Sequence, residues 1–301
     1  MLLRWLVGNY VQSSAAGQLR EVAQSALAAP AGPREAWQRA QAAAEENSEV
    51  SPPACDVALV FALGIEAGGV ADALESSYSG MAGGAKEHLG RFAGKRTLVI
   101  ETGVGQPSAE AATQSALDFY RPAWVISAGF AGALSDDLPR SRIVISDEVV
   151  KESGERLPLA LPFAREEISA TRGLALGRLV TVDRLIRLEA DKRELGQKQA
   201  ANACDMETFA VAQACAQGNV PCLSIRIISD GVADTLPPEV SQLLEQGNWL
   251  AKLGTLSGSL FRRPSVAKDL WELQGRAVAA SDKLARFLAS IVSQIPGAPP
   301  H

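Results

Sequence analysis

The chain has 301 residues, 47% of them apolar, with 29 basic against 34 acidic side chains and a net charge of −5. That is enough apolar material for a full core in an α/β unit with helical extensions, and with no basic excess nucleic acid is not an expected partner. Two histidines, His88 and His301, exclude a multi-histidine metal site, and four cysteines without a CxxC pair read as buried thiols of a reducing, cytoplasmic compartment.

Residues 1–53 are rich in Ala, Gln, Glu and Arg. Pro30 and Pro33 divide them into two predicted helices, and "NSEVSPP" closes the zone. They are expected to form a helical arm. Its stripe Leu3, Leu6, Val7, Tyr10 and Val11 is expected to dock on protein, either this chain or a second copy, rather than on a membrane. No run reaches the roughly 18 apolar residues that a membrane-spanning helix needs. The first 17 residues are too interrupted for a secretory core.

From residue 54 to about 235, strands and helices alternate. "CDVALVFAL" is a continuous apolar run of the kind buried on both faces of a sheet. "RTLVIETGVG" reads as a strand entering a Gly-rich turn, followed by the helix "PSAEAATQSALDFY". "AWVISAGFAGAL", "SRIVISDEVV", "GRLVTVD" and "VPCLSIRIISD" read as further strands. "METFAVAQACAQ" reads as a helix with Gly218 as its stop signal and Asp205 as its N-cap. His88 lies in "KEHLGRFAG", expected as a strand or hairpin, and is read as a surface histidine. The segments "EVSQLLEQGNWLAKLGTLSGSLF" and "SVAKDLWELQGRAVAASDKLARFLASIVSQI" carry helical apolar spacing, before a loose tail. The expected organisation is an arm (1–53) and one α/β domain (54–296). The domain is a twisted mixed, mostly parallel sheet flanked by helices, with a helical C-terminal extension.

Four acids are expected near the carboxyl ends of strands, where such sheets bind ligands: Glu66, Asp183, Glu207 and Asp230. Each has a plainer reading as a helix-capping acid, and Glu207 a further one as a first-turn partner of the helix dipole. Gly103 and Gly105 allow close backbone approach to a ligand, as do Gly129 and Gly132. Neither turn is a GxGxxG or a P-loop.

The ordered set "FALGIEAG", "ETGVGQPSAEAAT", "VISAGFAGAL", "LVTVD", "DMETFAVA" and "SIRIISDGVAD" resembles the nucleoside phosphorylase/nucleosidase superfamily, nearest its methylthioadenosine/S-adenosylhomocysteine nucleosidase branch. "SDGVADTLPPEV…LFRRPS" and the helical C-terminus also resemble the hopanoid-associated phosphorylases, a branch thought to release adenine from an adenosyl-lipid.

The resemblance implies cleavage of an N-ribosidic bond with release of a purine, without metal or cofactor, in a cytoplasmic homodimer. By the same resemblance Asp230, oriented by Ser229, protonates the leaving purine. Partial burial is expected to keep Asp230 protonated. Glu207 holds the ribose hydroxyls with Met206 beside it, and Glu66 activates the attacking water. Ala128, Gly129 and Phe130 of the Gly/Ala turn, with Leu185 and Ile186, complete the substrate contacts. Leu185 stands where the nucleosidases carry an aromatic residue against the base, and Phe209 is read as core. Ser127 and Phe130 replace the Arg and Ser that phosphorylases of the superfamily use for phosphate, and Glu66 would repel phosphate. Hydrolysis of a methylthioadenosine- or S-adenosylhomocysteine-like nucleoside is therefore expected. Phosphorolysis of an adenosyl-lipid or other nucleoside is the alternative, and non-catalytic nucleoside binding the second.

Overall fold

The computed structural model describes residues 54–237, 240 and 264–297, the first ten residues of the final helix by backbone only. The predicted arm and the segment "EVSQLLEQGNWLAKLGTLSGSLF", apart from Val240, lie outside the described residues.

Among the described residues, ten strands and six helices follow in chain order: β1 (Val57–Phe61), α1 (Gly64–Ala71), β2 (Glu75–Ala82), β3 (Ala85–Phe92), β4 (Lys95–Glu101), α2 (Gln106–Tyr120), β5 (Trp124–Ala133), β6 (Ile143–Lys151), β7 (Arg156–Pro158), α3 (Arg165–Ala170), β8 (Leu174–Thr181), α4 (Glu189–Gln199), β9 (Ala203–Asp205), α5 (Thr208–Gln217), β10 (Cys222–Asp230) and α6 (Pro264–Gln294). The expected mixed sheet flanked by helices is present. Its path is β10-β6-β8-β9-β5-β1-β4-β3-β2, with β7 on β6. A further ladder joins β10 to β5, so β5, β10, β6, β8 and β9 close into a ring and β1, β4, β3 and β2 extend from it. The expectation of mostly parallel pairing fits β4, β1, β5 and β10, which run parallel in succession. β6–β8 and β8–β9 are parallel too, whereas hairpins and returns make β2–β3, β3–β4, β5–β9, β6–β7 and β6–β10 antiparallel, so parallel pairing does not predominate among the described ladders.

Burial explains which strands are central. Every residue of β1 is buried, as its unbroken apolar run requires, and Leu223, Ile225 and Ile227 of β10 are fully sequestered. β2, by contrast, is exposed along most of its length and leaves Tyr78 and Met81 in solvent at the sheet's edge. Helices α2 and α5 pack together on one side of the sheet, where Phe209 is fully buried with Tyr120 and Leu98. Phe209 is thus core, as its sequence context suggests.

On the other side lies α6, burying Ala280, Leu284, Leu288, Ile291 and Val292 at helical spacing against α1 and the sheet. A Cβ at Gly69 would stand 2.9 Å from the Ala285 methyl and 3.2 Å from the Ser281 carbonyl oxygen, so glycine permits this helix contact. The Ser281 hydroxyl accepts from Gly69 N (3.3 Å) and donates to the Glu66 carbonyl oxygen (3.2 Å). The C-terminal helix thereby fastens the helix that carries Glu66.

Candidate active site

Glu66 sits in the first turn of α1, where the free N–H groups of a helix start favour a carboxylate. Its Oε2 accepts from Ala62 N (3.1 Å) and Leu63 N (2.9 Å), and its Oε1 from Phe130 N of β5 (2.7 Å). Burial nevertheless pushes the carboxyl above the ordinary glutamate value, against the pull of the Arg226 guanidinium and these three donors.

Glu207 immediately precedes α5 as its N-cap residue, with its own side chain turned to other work. Its Oε1 accepts from Gly105 N at 2.8 Å, so the β4–α2 Gly turn supplies a donor to this acid. Burial, with the nearby Asp205 charge, pushes Glu207 up to about 8, and Arg226 and the Gly105 N–H only partly oppose the shift. Asp205, expected as the N-cap, lies in β9. It accepts from Thr208 N (2.9 Å), from the Thr208 hydroxyl (2.5 Å), from the Thr181 hydroxyl (2.7 Å) and from Arg226 (2.7 Å). It caps α5 from two residues further out than expected and is saturated by those bonds.

Asp230 ends β10 with its Oδ1 bonded to the Ser229 hydroxyl (2.6 Å). Its Oδ2 meets the ammonium of Lys192 on α4, a lysine with no solvent exposure. This differs from the sequence expectation. Asp230 is buried as expected, but a buried ammonium stands against its carboxylate.

Glu66, Phe130, Leu185, Ile186, Met206, Glu207, Ser229 and Asp230 line one cavity of about 330 Å³. Two expected contacts lie behind its wall. Ala128 is fully buried, and Gly129 is the point on which Glu66 and Arg226 converge. At φ +150°, Gly129 adopts a conformation that side chains disfavour, and a Cβ there would be 2.6 Å from Arg226 Nη1 and 2.7 Å from Glu66 Oε1. Asp183 does not join the other acids. It is exposed, outside the cavity lining, and accepts from Gln106 Nε2 at 2.6 Å. His88 is buried rather than superficial, bridging the Ser79 hydroxyl (2.7 Å) and Glu101 (3.0 Å) away from that lining.

Two residues of the site escaped sequence reasoning. Arg226 is 2% exposed and donates to the Ser127 (2.7 Å) and Thr208 (2.6 Å) hydroxyls beside its ion pair with Asp205. A signal was available: an arginine inside the apolar run "SIRIIS" has to be paired once that strand is buried. Lys192 gave no such signal, since its helix "EADKRELGQKQ" is polar nearly throughout.

The chain and the fold that carry this cavity have matches among known proteins. The profile of the Phosphorylase superfamily covers residues 56–260. The chain belongs to that superfamily. Among curated members of the superfamily, the 5′-methylthioadenosine/S-adenosylhomocysteine nucleosidase of Shewanella piezotolerans is 28% identical over 200 residues, spanning 59% of this chain and 87% of the relative. That of Listeria monocytogenes is 30% identical over 173 residues, spanning 49% and 74%. Solved structures share the fold. The nucleosidase from Neisseria meningitidis bound to methylthio-immucillin-A superposes with TM-score 0.61 at 21% identity, over 79% of this chain and 99% of that one. A futalosine hydrolase mutant from Helicobacter pylori does so with TM-score 0.61 at 17% identity, over the same shares.

Proposed function

We propose that the protein hydrolyses the N-ribosidic bond of an adenine nucleoside of the methylthioadenosine/S-adenosylhomocysteine kind and releases the free purine. The observation that carries this reading is the convergence of Glu66, Glu207 and Asp230, distant in sequence, on one cavity. The relatives' names supply the substrate class.

In this reading Glu66 takes a proton from water as the oxygen attacks C1′. A base whose proton affinity is raised by burial is the stronger for it, and three backbone donors keep it aimed. Glu207, poised near neutrality, accepts from the ribose hydroxyls, whose donation favours its ionised form. Its charge then stabilises the cationic sugar of the transition state. As the C1′–N bond breaks, electrons flow into the purine, and Asp230 protonates a ring nitrogen so that a neutral base departs. Leu185, Ile186 and Phe130 exclude bulk water around these steps.

Water is favoured over phosphate on electrostatic grounds. The nucleophile end presents Glu66 and Glu207, and the guanidinium beside them is occupied by Asp205, Ser127 and Thr208. Arg140, Arg184 and Arg276 also line the cavity, the first two paired with Asp234 and Glu152. A second reading draws on the apolar part of the lining. Leu236, Val240, Ile228 and the α6 residues Ala277 and Ala280 extend the cavity with apolar surface, which favours an apolar 5′ substituent and keeps the adenosyl-lipid alternative in view.

Among the described residues no helix is long and apolar enough to cross a membrane. A cytoplasmic homodimer is part of the proposal, on the family resemblance and four unpaired buried cysteines; a monomeric mass by light scattering would remove the dimer from it. The test of function is purified protein with methylthioadenosine, S-adenosylhomocysteine and adenosine, with and without phosphate. Release of adenine independent of phosphate is expected. Strict phosphate dependence would replace hydrolysis by phosphorolysis, and binding without turnover would replace both.

A further inference from the structure

We propose that Lys192 is a positioning residue for acid catalysis: its ammonium, bonded to Asp230, supplies the proton that Asp230 hands to the leaving purine. The proposal rests on the nucleosidase reading of the same cavity.

All three ammonium hydrogens of Lys192 are placed. One goes to Asp230 Oδ2 at 2.5 Å, one to the Gly231 carbonyl oxygen and one to the Asp234 carbonyl oxygen, both at 2.9 Å. No part of the side chain reaches solvent. Holding the turn after β10 requires only a donor, and burying a full charge for that purpose is costly. An ammonium adds what a neutral tether lacks, a proton that can be passed on.

The other groups around the pair are poorly suited to supply one. The Asp234 carboxylate is held low by Arg140 and Gly231 N, despite its partial burial. Burial and the charges of Asp230 and Asp205 drive the Cys204 thiol far upward, so it keeps its proton. Asp205 is committed to Arg226.

The step balances. As the C1′–N bond breaks and its electron pair moves to the purine, Lys192 Nζ releases a proton to Asp230 Oδ2, and Asp230 releases one to a purine nitrogen. Water has meanwhile bonded to C1′ and lost its proton to Glu66. The pair is left as carboxylate and neutral amine, and recovers a proton from solvent when the products leave.

The experiment compares two substrates. Methylthioadenosine needs its leaving group protonated, whereas a p-nitrophenyl riboside leaves as a stable phenolate without an acid. Lys192→Met is expected to lower kcat/KM on methylthioadenosine by about 10²–10⁴-fold, the usual range for losing a general acid. It is expected to keep p-nitrophenyl riboside hydrolysis within about threefold of wild type. In an Asp230→Asn background, adding Lys192→Met is expected to cost nothing further on either substrate. Equal losses on both substrates would make Lys192 a purely structural tether and overturn the proposal, as would undiminished methylthioadenosine turnover. If the single variant does not fold, the double variant buries no unpaired charge, and its comparison with Asp230→Asn decides: a further loss on the p-nitrophenyl riboside overturns the inference. A wild-type protein that cleaves neither substrate would instead refute the nucleosidase reading itself.

Discussion

Replacing Glu207 with Gln should make the empty protein more stable in alkali while abolishing turnover. Burial raises this carboxyl from 4.5 to about 8, so the native site binds a proton that the unfolded chain has already lost across that interval. The sign follows from linkage. A carboxyl whose folded value is raised contributes its full stability below the unfolded value, and that stability is lost as the pH rises through the folded one. At about 1.4 kcal/mol per unit, the ionised form costs the empty site at most about 5 kcal/mol. Gln cannot ionise, and its carbonyl oxygen still accepts from Gly105 N. It does forgo the attraction of Arg226, which offsets part of the gain. A net benefit of about 2 kcal/mol above pH 8 corresponds to a rise of about 4–8 °C in a chain of this size. Thermal unfolding of wild type and variant without ligand, between pH 5 and 9, measures this. The two curves should nearly coincide at pH 5 and separate progressively toward pH 9. A difference independent of pH, or a variant less stable at pH 9, would refute the reasoning about this buried acid.

Glu66→Gln should lower kcat by about 10²-fold or more while binding of a substrate analogue, followed by calorimetry, persists. In the wild type the rate should rise with pH through a range above the ordinary glutamate value, because the base must be ionised. Loss of binding in the variant would reassign Glu66 to sugar contact. Gly129→Ala should lose most activity and about 2 kcal/mol or more of stability, since its methyl would stand 2.6–2.7 Å from the Arg226 and Glu66 side chains. Denaturant unfolding and initial rates check both, and a fully active variant would show that the wall behind the cavity yields.

What could be read in the sequence follows from how each element is buried. β1, β4, β5, β6, β8 and β10 carry apolar runs that only a covered sheet explains. β2 is nearly all solvent-facing, so "ESSYSGMA" has no alternation to find, and β7 and β9 have three residues each. The acids Glu66, Glu207 and Asp230 were visible because strand ends and helix starts are places where carboxylates can meet a ligand. Asp183 satisfies the same local rule but turns outward to Gln106, a choice made by tertiary contacts. The closure of β10 on β5 is a pairing of distant segments that periodicity cannot encode. The Lys192–Asp230 contact likewise depends on where α4 lies, and its polar sequence advertises an exposed helix although Lys192, Leu195 and Gln199 are buried.

Three successive residues of β5 hold both ends of the site. Phe130 N fixes Glu66, the Ala131 carbonyl oxygen accepts from the Ser229 hydroxyl bonded to Asp230, and a Cβ on Gly132 would lie 3.2 Å from Asp230 Oδ2. The interval between Glu66 and Asp230 is therefore metered by the repeat of a single extended backbone. The cavity surfaces on α6 and the chain after β10 make none of these contacts, so substitutions there would leave the spacing of Glu66 and Asp230 in place.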